Sequence, residues 1–230
     1  MKAENTMLRD IEEKGRSKSW QEYLSLMEER PELFRQNDGL RIITALADIC
    51  AYERRTGQII GVRYRSPYYM LVQDLVQNAQ GEVFFYDRLL PAVPAGAVAM
   101  LPVYQGKYVL LHQFRHAIRD YQYGFPRGFG EPGLSPEENA QKELREELGG
   151  RAARIELLGT IYPDSGLTST GVSVYRCDME SVSLQADHEQ IENIVFLSSD
   201  ELQQWVRDGK ITDSFTLAAI LLLKAKETKL

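Results

Sequence analysis

Residues 128–150 read GFGEPGLSPEENAQKELREELGG, and the architecture of the chain can be inferred outward from this segment. A glycine-rich loop leads into a strongly marked helix. Ser135 is placed to cap the helix, Pro136 occupies the favoured first helical position, and Glu138 completes a capping box. Because glycine is the usual residue just past a helix end, the helix is predicted to end at Gly149.

Three glutamates of this helix, Glu143, Glu146 and Glu147, follow the i, i+3, i+4 spacing and therefore share one side of it. Like charges at this spacing cost roughly 0.2–0.5 kcal/mol per pair, so the arrangement needs a reason. A solvated acidic surface is one interpretation. The loop before the helix favours another, because a tight turn beside a row of carboxylates suits Mg²⁺ or Mn²⁺, which prefer oxygen ligands.

The segment resembles the Nudix box, G-x5-E-x7-R-E-U-x-E-E-x-G-U, where U is aliphatic. The alignment starts at Gly128 without gaps, and the three helical glutamates, both glycines and the first aliphatic position match. Leu134, Lys142 and Gly150 stand where the box has glutamate, arginine and an aliphatic residue. In the family, that glutamate and arginine form a salt bridge that braces the loop against the helix. Both partners differ here, so we interpret the change as an altered brace rather than a lost active site.

Further segments resemble the ADP-ribose pyrophosphatases within this family. Residues 108–115, YVLLHQFR, are similar to a strand that ends in Q-[FY]-R in those proteins. Residues 124–128, GFPRG, are similar to their E-L-P-A-G segment, and residues 158–167 to their L-G-x-x-[YF]-P-S-P-G-F segment. The likeness extends over about residues 68–225, whereas residues 1–60 resemble no part of the family that we recognise.

The resemblance implies an α/β fold, the Nudix α/β/α sandwich with a mixed sheet, preceded by a helical N-terminal extension. We place the extension at residues 1–62 and the Nudix domain at residues 63–230. Apolar periodicity predicts helices at residues 20–27 and 40–52 within the extension. Strands are predicted at residues 68–76, 82–86, 97–103, 107–114, 157–162, 172–177 and 194–197, and two helices follow them.

The resemblance also assigns roles to the box residues. Glu143 and Glu147 are expected to coordinate divalent cations, Mg²⁺ with Mn²⁺ as the alternative ion. Glu146 is expected to ligate as well or to act through a bound water, and Glu146 and Glu147 are the expected catalytic residues of the box. The backbone carbonyl of Arg127 would add an oxygen ligand. Such metals activate water and neutralise charge on a diphosphate.

Residues outside the box are assigned less directly. In the ADP-ribose branch a glutamate from a later loop holds or deprotonates the attacking water. Glu192 fits this role by register, with Glu189 as the second choice and an ordinary acidic turn as the alternative. The side chains of Arg115 and Arg127 are candidate phosphate ligands, because a guanidinium can pair bidentately with phosphate. For Arg115 a structural salt bridge is the competing interpretation.

The function implied is Mg²⁺-dependent hydrolysis of a nucleoside diphosphate linked to another moiety, first of all ADP-ribose or a related sugar nucleotide. The alternative is a sensor that binds a nucleotide-sugar and cleaves it poorly or not at all. Leu134 and Lys142 favour the sensor, whereas the three intact glutamates favour the enzyme. A homodimer is expected, because this branch commonly pairs through its N-terminal strands, here residues 68–86.

Composition limits the remaining possibilities. The chain has 230 residues, of which 43% are hydrophobic, with 33 acidic and 27 basic residues and a net charge of −6. This balance does not indicate a nucleic-acid partner. The two cysteines, Cys50 and Cys177, cannot form a zinc site alone and are expected to be buried thiols. The N-terminus lacks the apolar region of a secretion signal, and no run suits a membrane span, so a cytoplasmic protein is expected.

Overall fold

The computed structural model describes residues 2–183 and 191–227. The chain forms two compact units. One is made of Met1–Ala92 with Asp164–Ser169, and the other of Val93–Pro163 with Thr170–Leu230. The units divide at residue 92. The boundary at residue 62, where the sequence analysis placed the end of the N-terminal extension, remains a prediction.

The first unit combines helices with a four-stranded antiparallel sheet. Its elements are α1 (Lys2–Arg16), α2 (Lys18–Glu29), a 3₁₀ turn (Pro31–Phe34), β1 (Leu40–Ile43), α3 (Leu46–Thr56), β2 (Gly61–Arg65), β3 (Tyr69–Asn78) and β4 (Val83–Pro91). Strand β3 is central, because it pairs with β4 along one edge and with β2 and then β1 along the other.

A buried carboxylate joins the helices of this unit to its sheet. Asp74 on β3 is 1% exposed. It accepts hydrogen bonds from the hydroxyl of Tyr23 on α2, at 2.5 Å, and from the guanidinium of Arg88 on β4, at 2.5 and 2.9 Å. Arg88 also donates to the carbonyl of Leu33 in the 3₁₀ turn. Because the helices share this network with β3 and β4, they belong to one unit with these strands.

One predicted helix of the extension is only partly correct. The helix predicted from Leu40 begins at Leu46, and Leu40–Ile43 instead forms β1, in register with Leu75–Asn78 of β3. A segment with apolar residues at three of four positions fits either a helix or a strand, and pairing with a distant strand determines which of the two forms.

The second unit is an α/β/α sandwich built on a seven-stranded sheet. Its elements are β5 (Val98–Tyr104), β6 (Lys107–Arg115), β7 (Asp120–Gly124), β8 (Arg127–Gly128), α4 (Pro136–Leu148), β9 (Ala152–Ile161), β10 (Val172–Met179), β11 (Ile191–Leu197), α5 (Ser199–Arg207) and α6 (Ser214–Glu227). The main strand order is β11-β6-β5-β10-β9, and β7 and β8 flank β6 and β5. Strands β5 and β10 are parallel and the other pairs antiparallel, so the predicted mixed sheet is confirmed.

The two faces of this sheet carry different helices. Val109 and Leu111 of β6 belong to the apolar cluster that contains Leu144 of α4. Leu110, between them, belongs to the cluster that contains Leu202 of α5 and Ile220 of α6. Because successive side chains of a strand point to opposite faces, this alternation shows which face each site residue of β6 occupies.

In the part of the chain that the structure describes, no helix is both long enough and apolar enough to cross a membrane.

Candidate active site

Helix α4 begins and ends where the sequence predicts. The backbone N–H of Glu138 donates to the Ser135 hydroxyl, and the Glu138 carboxylate accepts from the Ser135 backbone N–H at 2.9 Å. The two bonds that the Glu138 carboxylate accepts, from the Ser135 backbone N–H and from the Ser135 hydroxyl, lower the pKa of Glu138. Gly149 ends the helix with a positive φ of 54°. The capping box therefore fixes the start of the helix that carries the glutamates.

The three glutamates of α4 that belong to the box have different surroundings. Glu143 and Glu147 are buried, with 8% and 2% of their surfaces exposed. The side chain of Glu146 is 50% exposed. Leu144 and Leu148 anchor the helix in the core. The helix thus holds two carboxylates within the fold and one at its surface.

Gly128 allows the loop to approach these carboxylates. It lies on β8, paired with Val98 of β5. A Cβ atom at Gly128 would overlap the side chain of Glu143, including its carboxylate. The residue is therefore glycine because a side chain has no space there, and the first glycine of the box contacts its first helical glutamate.

Asn139 ties the loop to the helix, and the sequence analysis did not identify it. Its side chain is fully buried, and Nδ2 donates to the carbonyls of Gly96 at 2.8 Å and Phe129 at 2.6 Å. The available signal was its position four residues before Glu143, which places a polar residue on the same buried side of the helix.

Lys142, which stands at the arginine position of the brace, has a carboxylate partner in the loop. Its Nζ lies 2.9 Å from Oε1 of Glu131 and 2.6 Å from Oε2 of Glu146. Glu131 comes three residues before Leu134, the position that the gap-free alignment assigned to the brace. The alignment therefore missed a carboxylate that the turn of the loop brings to the same helix.

The side chain of Arg127 does not lie with the helical carboxylates. Its Nη1 donates to Asp213 at 3.1 Å, and its guanidinium lies over the ring of Phe215, at the start of α6. Because neighbouring residues of a strand face opposite ways, Gly128 faces α4 while Arg127 faces α6. The guanidinium predicted to meet phosphates is thus engaged in a partly buried ion pair on the other face of the sheet.

Arg115 ends β6 on the same face as Leu111, by the alternation along the strand. This is the face that carries α4, as the prediction of a phosphate ligand near the box requires.

Glu192 is not brought together with the glutamates of α4. It lies at an irregularity in the pairing of β11 with β6, and its Oε2 is 2.6 Å from Nδ1 of His112. His112 stacks on Tyr123, which contacts Trp205 of α5. This places the Glu192 carboxylate on the α5 side of the sheet. Glu189, the second choice for the same role, lies outside the described residues.

The residues around α4 fit a hard divalent cation by their chemistry. Glu143, Glu146 and Glu147 supply carboxylate oxygens, which Mg²⁺ and Mn²⁺ prefer. The Glu143 carboxylate fills the space that the missing side chain of Gly128 leaves, so it lies directly against the loop. Across the residues that the structure describes, no three histidine, cysteine, aspartate or glutamate side chains are close enough to form a ready metal cluster.

A family model described as the NUDIX domain matches residues 93–215, which is more than half of the chain. The chain belongs to the Nudix family. The resemblance inferred from residues 128–150 is thereby confirmed, and so are the predicted Nudix sandwich and the prediction of a Nudix pyrophosphohydrolase.

Curated relatives of this Nudix protein include an ADP-ribose pyrophosphatase of Bacillus subtilis (strain 168). It is 29% identical over 136 residues, which cover 57% of this chain and 74% of the relative. An ADP-sugar pyrophosphatase of Mus musculus is 38% identical over 80 residues, 33% of this chain and 37% of the relative. The ADP compounds hydrolase NudE of Escherichia coli (strain K12) is 23% identical over 140 residues, 60% of this chain and 75% of the relative.

A solved structure titled as an ADP compounds hydrolase shares the Nudix fold with this chain. The superposition has a TM-score of 0.62 at 20% identity and covers 74% of this chain and 93% of the other. At that identity the likeness establishes the fold.

Proposed function

We propose that this Nudix protein hydrolyses the diphosphate of a nucleoside diphosphate linked to another moiety. ADP-ribose or a related sugar nucleotide is the first choice, with AMP and a sugar phosphate as products. The observation that carries the proposal is the pair of buried carboxylates on α4, Glu143 and Glu147, the first of which lies beside Gly128. The names of the relatives, which refer to ADP-ribose, ADP-sugars and ADP compounds, support the choice of substrate.

In this proposal Glu143, Glu146, Glu147 and the backbone carbonyl of Arg127 would hold Mg²⁺, or Mn²⁺ in its place. Such an ion supplies positive charge to a diphosphate and lowers the pKa of water. The chain contributes the placement of these oxygens. The capping box fixes the start of α4, and Asn139 fixes the loop against it. Preorganised ligands of this kind keep the cost of assembling the site low.

Arg115 is proposed to bind a substrate phosphate through its planar guanidinium, since its strand position directs it to the α4 face. Glu192 remains the predicted general base. Because its carboxylate also contacts His112, a variant of Glu192 can distinguish a role in proton transfer from a role in pairing with His112. Removing a true general base lowers turnover by about 10²–10⁴-fold. The Glu192→Gln variant is expected to lose activity to that extent if Glu192 takes a proton, and to stay within about threefold if it only pairs with His112.

The test of the proposed function is phosphate-ester release with Mg²⁺ or Mn²⁺ from a panel of substrates. The panel contains ADP-ribose, NADH, UDP- and GDP-sugars, dinucleoside polyphosphates and nucleoside triphosphates. The double variant Glu146→Gln, Glu147→Gln serves as the inactive reference. Glu137→Gln is the matched control, because it changes an exposed glutamate in the first turn of the same helix.

Metal-dependent turnover of one substrate class, lost in the double variant and kept in the control, would support the hydrolase and identify its substrate. Metal-dependent binding of one ligand without turnover would contradict hydrolysis and support the nucleotide-sugar sensor. The contact between Lys142 and Glu146 is the feature that favours the sensor, because it engages one predicted metal ligand.

A further inference from the structure

We propose that Glu131 is a positioning residue that takes the place of the box's first glutamate, here Leu134, and braces the loop to α4 through Lys142. The proposal deepens the function above, on which its consequence for metal binding rests. It concerns a residue that lies outside the conserved positions of the motif and that the gap-free alignment passes over.

The loop geometry explains how Glu131, three positions before Leu134, can take the role of the box's first glutamate. The backbone N–H of Leu134 donates to the carbonyl of Glu131 at 3.3 Å, which closes a turn. Gly133 has a φ of +83° inside this turn, a conformation that favours glycine. Residues 131 and 134 therefore lie at the two ends of one turn, and either can present a side chain to the same part of α4.

Lys142 is the link between the loop and the predicted metal ligands. It is 28% exposed and lies between the carboxylates of Glu131 and Glu146, at 2.9 and 2.6 Å. A single cation is thus shared between a loop carboxylate and a helix carboxylate.

Loss of Glu131 would have two effects in the same direction. The loop would lose its charged attachment to α4, which loosens the backbone around Gly128. Lys142 would also be left with Glu146 as its one close carboxylate, and a lysine held there competes with a divalent cation for that side chain. Groups that orient metal ligands typically change metal affinity by about 10–100-fold when they are removed. Because the pair is partly exposed, we expect the lower end of that range.

The first experiment titrates Mn²⁺ alone into the full chain and follows free Mn²⁺ by electron paramagnetic resonance. Glu131→Gln is expected to raise the Kd for Mn²⁺ about tenfold. The double variant Glu131→Gln, Leu134→Glu, which returns the carboxylate to the family position, is expected to restore it. Glu137→Gln is the control. Unchanged binding in Glu131→Gln, or no restoration by Leu134→Glu, would overturn the proposal.

A second, metal-free experiment separates this inference from the proposed function. Urea unfolding of Glu131→Gln, Lys142→Met and the double variant gives a double-mutant cycle for the pair. A measurable coupling supports the brace and additivity overturns it, whether or not the chain binds metal. If the wild-type chain binds no Mn²⁺ and hydrolyses nothing on the panel, the proposed function fails, and this cycle still decides whether Glu131 braces the loop.

Discussion

At the scale of single residues, the site depends on the absence of a side chain at Gly128. A side chain there would occupy the space that the Glu143 carboxylate fills. The obstacle is the end of a flexible glutamate rather than backbone, so the glutamate can move aside. A substitution at this position is therefore expected to change the placement of the Glu143 ligand more than the folding of the chain.

We predict that Gly128→Ala folds with an almost unchanged free energy of unfolding but binds Mn²⁺ about 10–100-fold more weakly, because Glu143 is displaced. Mn²⁺ titration and urea unfolding test the two parts. Gly15→Ala is the control, since a Cβ there meets one ordinary contact at 3.7 Å. Wild-type affinity in Gly128→Ala would show that Glu143 does not need its present position.

The two cysteines give a second prediction at this scale. Burial raises the pKa of Cys177 to about 12 and also raises that of Cys50. The thiolate is the reactive form, and both thiols are buried. We expect no reaction of the folded chain with a disulfide reagent at pH 8, and two thiols per chain in urea. Rapid labelling of the folded chain would contradict the burial, and Cys50→Ser would then identify the reactive residue.

The residue scale also shows which residues of the site could be predicted from the sequence. The helical glutamates and Gly128 were identified because the motif has fixed spacing. Glu131 was missed, because only the turn of the loop brings it to Lys142. The side chain of Arg127 was assigned to phosphates, although strand alternation directs it to Asp213.

At the scale of elements, α4 was predicted with its correct ends, because Ser135, Pro136 and Gly149 are all local signals. Strand β1 was predicted as helix, because its pairing with β3 is a long-range contact. Strand β2 was also not predicted, although its pairing with β3 begins between the sequence neighbours Arg65 and Met70. Local signals therefore suffice where capping residues mark both ends of an element, and fail where a distant strand supplies the hydrogen bonds.

The cap of α4 leads to a third prediction. Ser135→Ala removes the acceptor for the Glu138 N–H and should lower the free energy of unfolding by about 1 kcal/mol. Urea unfolding measures this, and Ser25→Ala, at an exposed position of α2, should change it little. The lowered pKa of Glu138 adds a pH dependence: its contribution is present above the unfolded-state pKa and is lost as pH falls through the folded-state pKa. Equal losses in both variants would contradict the capping role.

The Asp74 network leads to a fourth prediction. Asp74→Ala leaves the guanidinium of Arg88 and the hydroxyl of Tyr23 without their carboxylate, and breaking a buried pair costs about 3–5 kcal/mol. Unfolding can be followed by the fluorescence of buried Trp20 in a Trp205→Phe background, so that the signal reports the first unit. Glu180→Ala, which breaks an exposed pair with Arg151, is the control and should cost about 0–1 kcal/mol. Similar losses would mean that the network contributes no more than a surface pair.

At the scale of the whole molecule, the sequence predicted the sandwich of the second unit. The N-terminal helices have no counterpart in the motif. Their packing against β3 and β4 through residues such as Tyr23 and Asp74 could not be inferred from local patterns.

The homodimer remains a prediction at this scale. We expect light scattering after size exclusion to give twice the chain mass of 26.3 kDa. Strand β4 is the element to test, because lysine on an edge strand opposes pairing with another strand. Val83→Lys should lower the measured mass, whereas Ile59→Lys, exposed elsewhere on the same unit, should not. A single-chain mass for the wild type at all concentrations would contradict the prediction.

The short segment Asp164–Ser169 has a consequence for how the protein is made. The backbone N–H of Leu89 on β4 donates to the carbonyl of Leu167, and the hydroxyl of Tyr86 donates to Gly166. A growing chain emerges from the ribosome in order, so β4 is synthesised roughly 80 residues before these partners. At about 5–20 residues per second, the first unit waits on the order of 4–16 s for its last hydrogen bonds. During translation, the first unit can therefore form all of its hydrogen bonds only after the ribosome has synthesised residues 93–163 of the second unit.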